Sequence, residues 1–69
     1  MTASLVPVFA ALGDETRWRI LAALGEGDAS ASALAARFPV SRQAIAKHLS
    51  VLADVGLVEP LRVGREVRY

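Results

Sequence analysis

The apolar positions of this 69-residue chain fall into four helical stripes and an alternating tail. Leu5, Phe9 and Leu12 recur at i, i+4 and i+7, one side of a short helix. Pro7 fits there only in the first turn, where a missing N–H leaves no bond unmade. Gly13 closes that helix. Asp14 opens the next as an N-cap, its carboxylate able to accept from unpaired backbone N–H groups. Glu15 adds negative charge at the positive end of the helix dipole. Ile20, Leu21 and Leu24 form the buried stripe, with Trp18 beside it, as a packing residue in preference to a recognition aromatic, and Arg17 and Arg19 turned mostly to solvent. Gly25 and Gly27 are stop signals.

Residues 28–38 predict a third, short helix capped by Ser30 or Ser32, with Leu34, Ala35 and Phe38 turned inward. Pro39 stops it, because the residue before a proline is pushed out of the helical region. Residues 41–54 give the clearest helix, with Ser41 as N-cap and Gly56 just beyond its end. At about 100° per residue, Ile45, Leu49 and Leu52 point one way, while Gln43, Lys47 and Ser50 point the other with Ala46 alongside. That polar face is narrow, nearly neutral and carries one ammonium. It suits a helix that enters something, more than one held by surface ion pairs.

From Leu57 the period changes. Leu61, Val63, Val67 and Tyr69 flank Gly64-Arg65, and glycine supplies the positive φ of a tight hairpin turn. The reading is a ribbon over about 58–63 and 66–69, with Pro60 at an edge position and Arg62, Arg65 and Arg68 around its tip and polar face. The whole is mainly α with a small β-hairpin wing: a winged helix-turn-helix in one domain over residues 1–69.

Composition narrows the function. A chain this short buries only about 60% of its unfolded surface, so a deep substrate cavity is not expected, and nothing clusters a nucleophile, a base and oxyanion donors. The expectation is a non-enzyme. With 54% hydrophobic residues the chain is no disordered tail, and some apolar surface is expected to meet a partner. No cysteine and a single histidine, His48, exclude a thiolate zinc finger or a multi-histidine site. No metal or other cofactor is expected. The apolar opening stretch lacks a basic leader and falls far short of about 20 residues, so no membrane role and a cytoplasmic location are expected. Net charge is only +1, but residues 1–36 set two arginines against four carboxylates, while residues 37–69 set six cations against three. The second half is the one built to face a polyanion.

Double-stranded DNA fits that half. Gln43 can offer an adenine edge a bidentate donor–acceptor pair, and Lys47 can reach guanine or a phosphate. Ser41 and Arg42 suit phosphate oxygens, and Ala46 is small enough to let the backbone approach. The ribbon arginines suit the backbone or a minor groove. His48 lies about 300° round the helix from Ile45, at the border of the apolar stripe. There it serves either as a half-buried packing residue or as a DNA contact.

Three stretches carry a family resemblance. Leu12-Gly13-Asp14-Glu15-Thr16-Arg17-Trp18-Arg19-Ile20-Leu21 resembles the L-x-D-x-T-R-x-x-I-L opening of ArsR-type (ArsR/SmtB-like) bacterial regulators. Val40-Ser41-Arg42-Gln43-Ala44-Ile45-Ala46-Lys47-His48-Leu49-Ser50-Val51-Leu52, followed by Gly56-Leu57-Val58, resembles the family's recognition helix and its exit. Gly64-Arg65-Glu66-Val67-Arg68-Tyr69 resembles its wing. The resemblance implies a dimeric winged-helix repressor on an inverted-repeat operator. It also implies DNA-facing roles at Ser41, Arg42, Gln43, Lys47 and His48, and at Arg62 and Arg65 in the wing. Leu5, Phe9 and Leu12 are the expected dimer face. Where metal-sensing relatives carry Cys-Val-Cys-Asp-Leu, this chain has Ser30-Ala31-Ser32-Ala33-Leu34, whose hydroxyls are poor ligands for thiophilic metals. A non-metal-sensing member is expected. Relatives also continue into a C-terminal dimerisation helix that these 69 residues lack. The competing reading is a winged-helix protein–protein docking module, and the paucity of exposed aromatics argues against RNA.

Overall fold

The computed structural model describes residues 5–69. Helices α1 (Val6–Leu12), α2 (Glu15–Leu24), α3 (Ala31–Ala35) and α4 (Arg42–Asp54) precede an antiparallel hairpin of β1 (Leu61–Val63) and β2 (Glu66–Arg68). This is the winged helix-turn-helix that the periodicity predicts.

Side-chain caps set the helix starts. Pro7 lies in the first turn of α1. Asp14 Oδ1 accepts from the Arg17 amide at 3.0 Å, Ser30 Oγ from Ala33 at 3.1 Å and Ser41 Oγ from Ala44 at 3.1 Å. Of the two serines weighed for α3, Ser30 is therefore the cap. The end of α4 is closed by two backbone bonds, Gly56 N–H to Ala53 O at 3.0 Å and Leu57 N–H to Leu52 O at 2.9 Å, around Gly56 at φ 79°. This reversed pairing satisfies the last carbonyls and requires a left-handed residue.

Three boundaries differ from the pattern-based reading. Helix α3 ends at Ala35, short of Phe38, because the Arg37 amide bonds back to Leu34 O at 2.9 Å and tightens the last turn. Phe38 and Val40 then pack on the core from the turn. Strand β1 starts at Leu61, not 58, since Pro60 cannot donate to a ladder, and Leu57 and Val58 pack against the core instead. Strand β2 ends at Arg68, but Tyr69 still exchanges two backbone bonds with Ala29, at 2.8 and 3.2 Å. Those bonds fasten the hairpin to the segment before α3.

The core is built from Ile20 of α2, Leu34 of α3 and Ile45, Leu49 and Leu52 of α4, all fully buried, with Ala11, Ala23 and Ala29 between them. Each such Leu or Ile contributes about 1.5–3 kcal/mol relative to an exposed one. Helix α1 enters the core through Ala11, while Leu5 and Phe9 are exposed and Leu12 is half-buried. Trp18 is 56% exposed, so its expected packing role is corrected. It stands two residues before the fully buried Ile20, about 200° round the helix from that side chain. No helix among the described residues is long and apolar enough to cross a membrane.

Candidate nucleic-acid interface

The exposed side of α4 follows directly from the burial of its other side. With Ile45, Leu49 and Leu52 fixed inward, the helical period puts Arg42, Gln43, Ala46, Lys47 and Ser50 outside, and all five are exposed. Ser41, at the N-cap, is exposed too, its hydroxyl oxygen already accepting from Ala44. His48 is half-buried at the edge of the stripe. Its Nδ1 lies 3.5 Å from Arg17 Nη1 of α2. The imidazole therefore meets the helical body on at least one side.

The hairpin stands beside this face. Gly64, at φ 62°, and Arg65 form its two-residue turn. A positive φ at the first turn position and none at the second matches the type II′ turn that fits a twisted ribbon. Arg62 pairs with Val67 across the ladder, and Val63 with Glu66. Directly paired residues share a face, so Arg62 lies on the opposite side of the ribbon from Glu66 and Arg68. A groove of about 570 Å³ runs between α4 and the wing, with Arg42 and Ala46 on one wall, Arg65, Glu66 and Val67 on the other, and Ser30 and Ser32 contributing from the start of α3. The structure thus brings together residues 23 positions apart in sequence, Arg42 and Arg65.

The charges sort by location. Arg19 bonds Glu15 at 2.9 Å, Arg37 lies 3.7 Å from Glu26, and Arg17 donates to the Ala10 and Ala11 carbonyls. Arg68, grouped with Arg62 and Arg65 by its sequence position, is committed internally. Its Nε donates to Asp28 Oδ2 at 2.8 Å, its Nη1 to Glu66 Oε1 at 2.6 Å and its Nη2 to the Asp28 carbonyl at 3.1 Å. Those bonds hold the Asp28 carboxyl below its usual range and raise the Arg68 guanidinium further above its own. The remaining four cations, Arg42, Lys47, Arg62 and Arg65, make no hydrogen bond or ion pair among the described residues. All four are on α4 or the hairpin.

Two internal roles escaped the sequence. Arg17, solvent-facing by periodicity, binds backbone carbonyls, which leave no mark in a side-chain pattern. Asp28 and Arg68 are 40 positions apart, and neither carries a local signal of the other.

Comparison with known proteins agrees with this geometry. A helix-turn-helix domain family matches residues 12–60. The chain is 46% identical over 59 residues to the HTH-type transcriptional regulator CmtR of Mycobacterium tuberculosis, an alignment covering 86% of this chain and 50% of that protein. It is 36% identical over 62 residues to the transcriptional repressor SdpR of Bacillus subtilis, covering 90% and 69%. An ArsR-like transcriptional regulator from Rhodococcus sp. RHA1 superposes with a TM-score of 0.87 at 68% identity, covering 94% of this chain and 61% of that one. The chain thus spans about half the length of CmtR and about three fifths of the Rhodococcus protein. Winged-helix architecture, matched motifs and these relatives agree: the chain belongs to the ArsR-type family of helix-turn-helix transcriptional regulators.

Proposed function

We propose that this protein is a non-enzymatic repressor or autorepressor that binds an inverted-repeat operator as a dimer, with α4 in the major groove and the wing on the adjacent backbone. The observation that carries this reading is the sorting of cations. Three pair with carboxylates within the protein, Arg17 is held by backbone carbonyls, and the four left over share α4 and the hairpin. Unpaired guanidinium and ammonium groups on α4 and the hairpin, with Arg42 and Arg65 facing one groove, are what a phosphate backbone requires. In this reading Gln43, Ala46 and Lys47 meet base edges, Ser41, Arg42, Arg62 and Arg65 meet phosphates, and His48 stands at the margin. Two such helices in a two-fold dimer would sit about 34 Å apart and read half-sites one turn apart.

The exposed Leu5 and Phe9, with Leu12 beside them, support α1 as the dimer face. The Ser30 hydroxyl supports regulation without a thiophilic metal, because its oxygen already accepts from the Ala33 amide. Control would then come from a partner, a small molecule or protein concentration in the cytoplasm. The single-domain reading over 1–69, with a dimerisation helix beyond it, belongs to the same proposal. The test is fluorescence anisotropy of the protein on DNA upstream of its own coding sequence, with and without excess competitor duplex. Retention of binding against competitor supports the proposal. Equal displacement by any duplex overturns the operator-specific part, and no binding overturns the whole.

A further inference from the structure

Arg17 occupies an unusual position. From the first turn of α2 it donates through Nε to the Ala11 carbonyl and through Nη2 to the Ala10 carbonyl at 3.3 Å. Both carbonyls belong to the last turn of α1, where helix carbonyls run short of backbone partners; Ala10 also accepts from the Gly13 amide at 3.2 Å. Its third group, Nη1, lies 3.5 Å from His48 Nδ1 on α4. One guanidinium thus touches the first helix and the helix that carries Gln43 and Lys47.

A guanidinium only donates, so the contact needs Nδ1 unprotonated, with the imidazole proton on Nε2. Protonation at Nδ1 removes the acceptor and sets one cation against another at that distance. Asp14, the α2 N-cap, also interacts with His48 through charge. Its carboxyl is held below the usual range, chiefly by the Arg17 amide and further by the charges of His48 and Arg17. It remains an anion through the range in which imidazoles titrate, about pH 5 to 8.

We propose that Arg17 and His48 form a latch joining the end of α1 to the recognition helix, and that protonation of His48 opens the latch and weakens DNA binding. Arg17 is then a positioning residue, acting on α4 through His48 while holding α1 by its carbonyls. Because α1 is the apolar, exposed helix, the latch also links whatever covers Leu5 and Phe9 to the setting of α4. The effect on DNA rests on the function proposed above, but the latch itself does not.

The sign of the pH effect separates this idea from its nearest rival. An imidazolium that touched a phosphate directly would tighten DNA binding as pH falls. An opened latch loosens it. The experiment has two arms on the same protein. In the first, carbonyl ¹³C resonances of Ala10 and Ala11 are followed by NMR from about pH 8 to about pH 5.5. The expected result is a joint shift with the His48 ring signals, absent in His48→Gln, whose neutral side-chain oxygen accepts from Arg17 without titrating. Unresponsive carbonyls, or the same shift in His48→Gln, overturn the latch whether or not DNA binds. In the second, duplex affinity is measured over the same range. A loss of about fivefold or more toward low pH, absent in both His48→Gln and Arg17→Met, is expected. Constant or rising affinity overturns the coupling to DNA. Thermal unfolding of Arg17→Met, followed by circular dichroism, verifies that the variant is folded at the temperature used.

Discussion

Arg68 Nε and Asp28 Oδ2 meet at 2.8 Å across 40 positions of sequence, and this pair fastens the wing to the segment leading into α3. The same guanidinium bonds Glu66 within the hairpin and the Asp28 carbonyl outside it. Arg65, at the tip of that ribbon, faces α4 across the groove from this anchored base. Asp28→Asn is expected to weaken DNA binding without touching DNA, by letting the wing swing away. Restoration by the exchanged pair Asp28→Arg with Arg68→Asp, in an anisotropy titration, would show that position and not charge at residue 28 is responsible.

Acid should find the two perturbed carboxylates. Asp14 and Asp28 both have folded pKa values below the ordinary 3.8, Asp14 mainly through the Arg17 amide and Asp28 mainly through the Arg68 guanidinium. A lowered folded pKa means that the stabilisation is present above the unfolded value and disappears as pH falls through the folded one. The melting temperature should therefore decline below about pH 4. Asp14→Asn and Asp28→Asn should each be less stable near neutrality and show a shallower acid decline, read by circular dichroism.

Base and backbone contacts separate by salt. Gln43→Ala is expected to cost about 1–3 kcal/mol on the preferred sequence and relax preference at one base position. Arg65→Ala should weaken all duplexes alike and reduce the slope of log affinity against log salt by about one. Anisotropy at several salt concentrations on matched and mismatched duplexes checks both. Unchanged affinity in both variants would refute the docking of α4 and wing.

Helix ends offer tests of stability that need no DNA. Ser41→Ala removes the acceptor for the Ala44 amide and should cost about 1 kcal/mol. Gly56→Ala forces a Cβ onto φ 79° with open space around it, so the cost, about 1 kcal/mol, is conformational and not steric. Ser32→Ala, inside α3 and bonding nothing through its side chain among the described residues, should stay within about 0.5 kcal/mol. Urea unfolding measures all three.

Core and surface apolar residues should part sharply. Leu49→Ala opens a cavity in a fully buried site and should cost about 2–5 kcal/mol. Trp18→Ala, despite the larger deletion, should cost much less in the same unfolding experiment, because Trp18 is mostly exposed.

Elements that depend on neighbours in the chain were legible in the residues alone. Caps reach three residues ahead, so Asp14 and Ser41 could be read as helix starts, and the cap of α3 could be narrowed to Ser30 or Ser32. The helical period fixed which side of α4 is buried, and therefore which side carries Gln43 and Lys47. Gly64 marked the hairpin turn because few other residues take its φ. Tertiary structure decided everything that joins distant segments. It turned Trp18 outward, drew Arg17 onto the α1 carbonyls and His48, and spent Arg68 on Asp28, leaving Arg62 and Arg65 as the wing's unpaired cations. Periodicity records only whether a side chain faces in or out along its own element. Which charge is neutralised, and which stays available to a polyanion, depends on groups brought together from as far as 40 residues away.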